Sequence, residues 1–327
     1  MVMGWSGLYF CVAKLEHLFG LGETLSLWVA AVDVFLFIFL SGALLLRVLL
    51  MPQSLQEELS QPVGLCASAA AAVATILLSY VFIGLGQGAL GLQSDVGKQA
   101  LMSIAQLLWW IGAGLELAVS VGVMVVYAKW LAKGSNSLAQ VAPVMFIPAV
   151  GNVLVVLSGV ALGHEAWSTL QMGLGVVLWP LVACLLLMRV RKIGPLPPLA
   201  QPSWFISLSP PSVIGLALLA LQAPILWAWV FWWVASLVLL GLMPVVWRVL
   251  HQPFSNTFWA LSFPWAAWCS LSISLWGGAA QGAAPNAFGV QLALVLVTVM
   301  LGGLVLWLSA RSLLLLRAAL RAQAQDI

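Results

Sequence analysis

Charge is what this sequence has least of. Its 327 residues include 12 Lys or Arg and 9 Asp or Glu, or 6% charged, against roughly 25% in a soluble globular domain. A water-facing surface cannot be built from so few charges. A soluble enzyme, a disordered chain and a nucleic-acid-binding protein are therefore excluded. The 4 cysteines, Cys11, Cys66, Cys184 and Cys269, all lie inside apolar runs. They form no CxxC and no ligand spacing, so they read as small membrane residues, with no disulfide framework and no metal site. The chain also lacks a Walker A loop, an HExxH, a catalytic-triad order and a Gly-rich nucleotide loop. The reading is of a protein that is not an enzyme and carries no cofactor. No connection between apolar runs exceeds roughly 15 residues, so residues 1–327 read as a single transmembrane domain. The apolar start has no basic leader and meets Lys14, Glu16 and His17 instead of a small-residue cleavage site, which argues against a signal peptide.

What the sequence has in abundance is apolar length: 63% of residues are hydrophobic and the mean hydropathy is +1.11. The runs are too long and too uniform for the alternating segments of a β-barrel, so the fold class is an all-α integral membrane protein. About 20 apolar residues cross a bilayer core, and ten spans follow: Val2–Ala13, Leu25–Leu50, Val63–Gly84, Leu101–Tyr127, Val141–Gly163, Thr169–Met188, Trp204–Leu221, Pro224–Val246, Phe254–Trp276 and Phe288–Leu316. Lys and Arg mark the cytoplasmic loops. With both termini inside, the inner connections and the tail hold Arg47, Lys129, Lys133, Arg189, Arg191, Lys192, Arg248, Arg311, Arg317 and Arg321. The outer connections hold Lys14 and Lys98.

Odd and even spans differ in chemistry. The even ones are bulky: the eighth carries Trp227, Trp229, Trp232 and Trp233, and the tenth is largely Leu and Val. The odd ones are small, polar and proline-containing. The third places Ser68, Ala72, Thr75 and Ser79 on one helical face. The fifth holds Pro143, Pro148, Asn152 and Gly159, and the seventh opens with Ser207, Ser209, Pro210, Pro211 and Ser212. The ninth aligns Asn256, Ala260, Phe263, Ala267, Ser270 and Ser274, with Pro264 alongside. Close helix packing explains small residues on any one span. It does not explain why prolines gather in alternate spans, where each frees a carbonyl that lipid cannot satisfy. Five hairpins, with odd helices forming an inner ring around a narrow uncharged passage and even helices outside, account for both.

Four stretches add a resemblance: LQEELSQPV (55–63), FIPAVGN (146–152), PLPPLAQPSWFISLSPPS (195–212) and PFSNTFWALSFPWAAW (253–268). In this order, on these spans, the chain resembles the tellurite-resistance/dicarboxylate transporter family, which is TehA-like and related to the plant slow-type anion channels. The resemblance implies ten helices as five hairpins with quasi-five-fold symmetry, a central pore, a homotrimer and a place in a bacterial inner membrane. It also implies that the Phe of "SFP", Phe263, is the pore gate. The residues alone make Phe263 the single bulky side chain on a small-residue stripe, which fits a packing aromatic equally well. The first span departs from the family: residues 2–13 are too few to cross the core, and leave only Gly4, Gly7 and Cys11 as pore-face candidates.

The function expected is a membrane anion channel or transporter, of the tellurite-resistance/C4-dicarboxylate type, in the lipid bilayer. It passes small inorganic or carboxylate anions and binds no nucleic acid. Ser68, Thr75, Pro148, Asn152, Ser207, Pro211, Asn256, Ala267 and Ser270 are the pore-lining candidates. Anion preference would come from hydroxyls, from backbone dipoles near Pro148, Pro211 and Pro264, and from basic cytoplasmic loops, because the odd spans offer no Lys or Arg in their apolar interiors. The alternative is a proton-coupled dicarboxylate carrier. It needs a titratable group on the path, for which the intramembrane carboxylates Glu116 and Asp33 are the candidates. Both sit on even spans, where structural contacts suffice to explain them.

Overall fold

The computed structural model describes residues 1–89, 95–132, 135–277 and 288–325. Lys133, assigned above to the inner side, lies outside them. All regular elements among these residues are helical. They are α1 (Val2–Phe19), α2 (Thr24–Leu50), α3 (Pro52–Ser60), α4 (Pro62–Gly84), α5 (Asp95–Ala132), α6 (Phe146–Ala161), α7 (Glu165–Lys192), α8 (Ser209–Ala220), α9 (Ile225–Leu250), α10 (Ser262–Trp276) and α11 (Phe288–Gln325). Proline opens several of them. Pro52 and Pro62 sit in the first turns of α3 and α4, where a missing N–H costs nothing and a fixed φ favours the helix. Tighter 3₁₀ stretches lead into α6, α8 and α10, at Pro143–Met145, Pro198–Leu208 and Asn256–Leu261.

The first span is longer than its apolar run. α1 continues through Lys14 and Glu16 to Phe19, 18 residues in all, a rise of about 27 Å. The expectation of a half-length helix ending at Ala13 is thus corrected. Gly20 stops it in the left-handed region, at φ 62°, which costs a glycine little. The turn that follows brings Glu16 to the start of α2. Its carboxylate accepts the Leu25 N–H at 2.8 Å and the Ser26 N–H at 3.2 Å. A negative charge there satisfies donors that the helix leaves open and complements its dipole.

Burial separates two classes of helix. In the spans Pro62–Gln87, Pro143–Ala161, Pro198–Ala220 and Asn256–Trp276, 67–72% of the most apolar stretch is buried. In those containing α2, α5, α7, α9 and α11 the share is 17–33%. α1 belongs with the buried class, since Val2 and the run Gly4–Val12 are buried. The buried helices touch in a closed order: α1 on α4, α4 on α6, α6 on α8, α8 on α10, and α10 back on α1. Each also carries the exposed helix that follows it, α2 on α1, α5 on α4, α7 on α6, α9 on α8 and α11 on α10.

Among the described residues, nine spans are long and apolar enough to cross a membrane; α1, with its charged last turns, is not one of them. Indole and hydroxyl groups tie the two classes together where no water competes. Trp109 Nε1 donates to the Val155 carbonyl at 2.9 Å, Trp232 Nε1 to Ser272 Oγ at 2.8 Å, Trp268 Nε1 to Ser236 Oγ at 3.0 Å and Trp259 Nε1 to Ser312 Oγ at 2.9 Å. The tryptophans of α9 therefore divide: Trp227 and Trp233 are exposed on the apolar surface, whereas Trp232 is bonded inward.

Candidate functional site

Two cavities lie inside the circuit of buried helices, and each is walled by residues of all five. The larger, about 470 Å³, is lined by their N-terminal ends. Gly4, Val63, Ala67, Ile147, Ser203, Ser209, Asn256, Ala260 and Pro264 are among its walls. The smaller, about 230 Å³, is lined by the C-terminal ends, including Gly7, Phe10, Lys14, Leu77, Tyr80, Leu157, Val213, Ala267, Ser270 and Ser274. Among the described residues, Phe263 is the one common to both linings. Its side chain is 6% exposed. It stands in the first turn of α10, opposite the backbone of α1, where a Cβ on Gly7 would come within 3.9 Å of its ring. Its benzyl group thus borders both cavities.

Among the described residues neither lining contains a carboxylate, and Lys14 is the one charged side chain in either. This corrects the placement of Lys14 in an outer connection: it is a residue of α1, just beyond that span's apolar interior. Lys14 stands one turn beyond Cys11 on α1. Its ammonium donates to Ser274 Oγ at 2.6 Å, Ser270 Oγ at 2.9 Å and the Ser270 carbonyl at 3.3 Å. The signal was present in the sequence. Gly4, Gly7, Cys11 and Lys14 follow the i, i+3, i+7, i+10 spacing of one helical face.

Of the residues singled out from sequence, Phe263, Asn256, Ala267 and Ser270 line a cavity. Gly4 and Gly7 do so as well. Cys11 does not: it is buried, with its thiol on the Ala266 carbonyl at 3.4 Å. Ser68, Thr75, Pro148, Asn152, Ser207 and Pro211 are absent from both linings, and local bonding gives the reason. Ser68 and Ser207 donate to carbonyls three residues back, Leu65 at 2.7 Å and Trp204 at 2.6 Å, and Thr75 to Ala71 at 2.9 Å. The Asn152 amide spans the Pro148 carbonyl at 2.7 Å and Ser120 Oγ of α5 at 2.6 Å, so both groups face the α5–α6 contact. Pro211 is buried within the first turn of α8.

The two carboxylates also lie away from the cavities. Asp33 is fully buried and accepts from Ser6 Oγ at 2.6 Å, bracing α2 against α1. Glu116 is fully buried and has no bonding partner for either oxygen among the described residues. Its carboxyl fills the space where Gly151 of α6 has no side chain; a Cβ there would collide with it. Both are contacts between an exposed helix and a buried one.

Four of the exposed helices carry basic residues in their last turns: Arg47 on α2, Lys129 on α5, Arg189, Arg191 and Lys192 on α7, and Arg248 on α9. Each of these helices is followed in the chain by the N-terminal part of a buried one, so the basic end and the larger cavity lie on the same side. Apolar spans of this length make the chain a multi-pass membrane protein. No curated protein matches it. Residues 1–308 match the family described as SLAC1, voltage-dependent anion channel, whose members are channels and transporters, and the chain belongs to that family.

Proposed function

We propose that the chain is an anion pore whose path runs through the two cavities and is closed by Phe263. In this reading the ten helices are one domain of five hairpins, with α1, α4, α6, α8 and α10 as an inner ring in quasi-five-fold order. The observation that carries it is the meeting of two five-walled cavities at a single aromatic side chain. Each buried helix turns its N-terminal end toward the larger cavity. A helix N-terminus carries roughly half a positive charge, so five of them favour anions there without any basic ring. The basic ends of four exposed helices add to that potential; the positive-inside rule supports a cytoplasmic side for them and for both termini, in what this reading takes to be a bacterial inner membrane.

A path lined by dipoles, hydroxyls and apolar side chains gives back little of an anion's hydration. Permeation is therefore expected to follow ease of dehydration, with nitrate and iodide ahead of chloride. Flux into liposomes, measured with halides, nitrate, malate and tellurite as separate substrates, tests the reading and assigns tellurite or C4-dicarboxylate transport if either dominates. Glu116→Gln is expected to leave that flux largely unchanged, because the carboxyl is sealed between α5 and α6. Loss of pH-dependent uptake in this variant would support a proton-coupled carrier instead. The expected assembly is a homotrimer, and mass photometry in detergent showing monomers alone would count against it.

A further inference from the structure

We infer that Lys14, together with the hydroxyl of Ser270, forms a binding site for a small monovalent inorganic anion in the smaller cavity, with Ser274 holding the ammonium in place. The inference deepens the pore reading and rests on it for the site's place in the path. Its chemistry stands on separate observations. The first is that, among the described residues, the ammonium is held by neutral acceptors alone, the two hydroxyls and the Ser270 carbonyl. Lys14 is half-buried, and a charge drawn partly out of bulk water is costly unless something neutralises it. Among the described residues no carboxylate lines this cavity. The nearest acid in sequence, Glu16, is committed to the Leu25 and Ser26 N–H groups at the start of α2. The positive charge therefore has no counter-ion of its own in the cavity wall.

The second observation concerns protons. A hydroxyl that accepts from an ammonium keeps its own hydrogen for another acceptor. Ser274 spends its hydrogen on the Ser270 carbonyl at 3.0 Å. Ser270, in the same wall, meets the ammonium as an acceptor, so its O–H is a donor to set beside the lysine. The third is the field of the helices. The five buried helices turn their C-terminal ends, each roughly half a negative charge, toward this cavity. An anion leaving the larger cavity would meet rising repulsion here, and Lys14 is the one group in the wall that offsets it. At about 230 Å³ the space admits a halide or nitrate with part of its hydration shell. A single monovalent cation held by neutral groups favours one negative charge over two.

The test is a binding measurement that needs no conduction. The full chain in detergent is unfolded thermally while gluconate is replaced by nitrate at constant ionic strength. The wild type is expected to show a saturable rise in Tm, and Lys14→Arg to keep it. In Lys14→Met the midpoint is expected to weaken by about tenfold or more, the scale of a lost charge-assisted contact. No saturable rise in the wild type, or an unchanged midpoint in Lys14→Met, overturns the site. If Lys14→Met does not fold, Ser270→Ala keeps the charge and removes the free donor. Its midpoint must then weaken several-fold, and an unchanged value overturns the site equally. Flux separates this from the pore reading: a Phe263→Ala protein with the nitrate midpoint intact but no anion flux would sink the pore and leave the site.

Discussion

Phe263→Ala is expected to raise anion flux by about tenfold or more and to leave the protein folded. The benzyl ring borders both cavities, so its removal joins them instead of emptying a dry core. An aromatic ring offers no donor to a passing anion, and an apolar constriction excludes ions by dewetting before it closes sterically. The cost in stability should be well below the 3–5 kcal/mol typical of deleting a core Phe, because space already exists on either side. Flux in liposomes and a melting curve on the same preparation decide the matter. Flux at the wild-type level, with a large drop in Tm, would make Phe263 a packing residue and place the path elsewhere. Phe263→Leu, which keeps an apolar branch in the constriction, should fall between wild type and alanine.

Much of this arrangement was legible in the sequence, for identifiable reasons. Composition separates helices that face lipid from helices that face protein, so the bulky and the small-residue spans could be told apart before their burial was known. Phe263 stood out because bulk is rare on the α10 stripe. What remained hidden depended on which neighbour a polar group finds. Period 3.6 puts Ser68, Thr75 and Asn152 on particular faces but does not say whether a hydroxyl looks across a cavity or back at its own helix. Thr75 chose the Ala71 carbonyl, as short hydroxyl side chains do in apolar helices. Lys14 was missed for a different reason. By hydropathy the charge ends the apolar run, whereas the helix carries it one turn further and satisfies it with Ser270 and Ser274, 256 and 260 residues away in sequence. No local pattern contains that pairing; only the α1 face shared with Gly7 and Cys11 hints at it.

Gly7→Leu is expected to have the opposite effect to Phe263→Ala: lower stability and a path that no longer opens. An ideal Cβ on Gly7 would lie 2.5 Å from the Ala266 Cβ, far inside van der Waals contact. Alanine has no χ angle by which to withdraw, so α1 must move off α10. That displacement strains the Cys11 bond to the Ala266 carbonyl and the three Lys14 bonds to Ser270 and Ser274, which span the same contact. Overpacking of this kind costs about 1–3 kcal/mol, and here the polar bonds add to it. The new side chain also points toward the Phe263 ring, 3.9 Å from the Cβ position. Gly7→Leu combined with Phe263→Ala should therefore refill the constriction and reverse most of the gain in flux. Gly42→Leu is the control: no atom lies within 4 Å of a Cβ at that exposed position on α2, so neither Tm nor flux should change. If Gly7→Leu melts like the wild type and leaves the flux of Phe263→Ala untouched, α1 does not pack on α10 through Gly7, and the wall of the path at that level belongs to another helix.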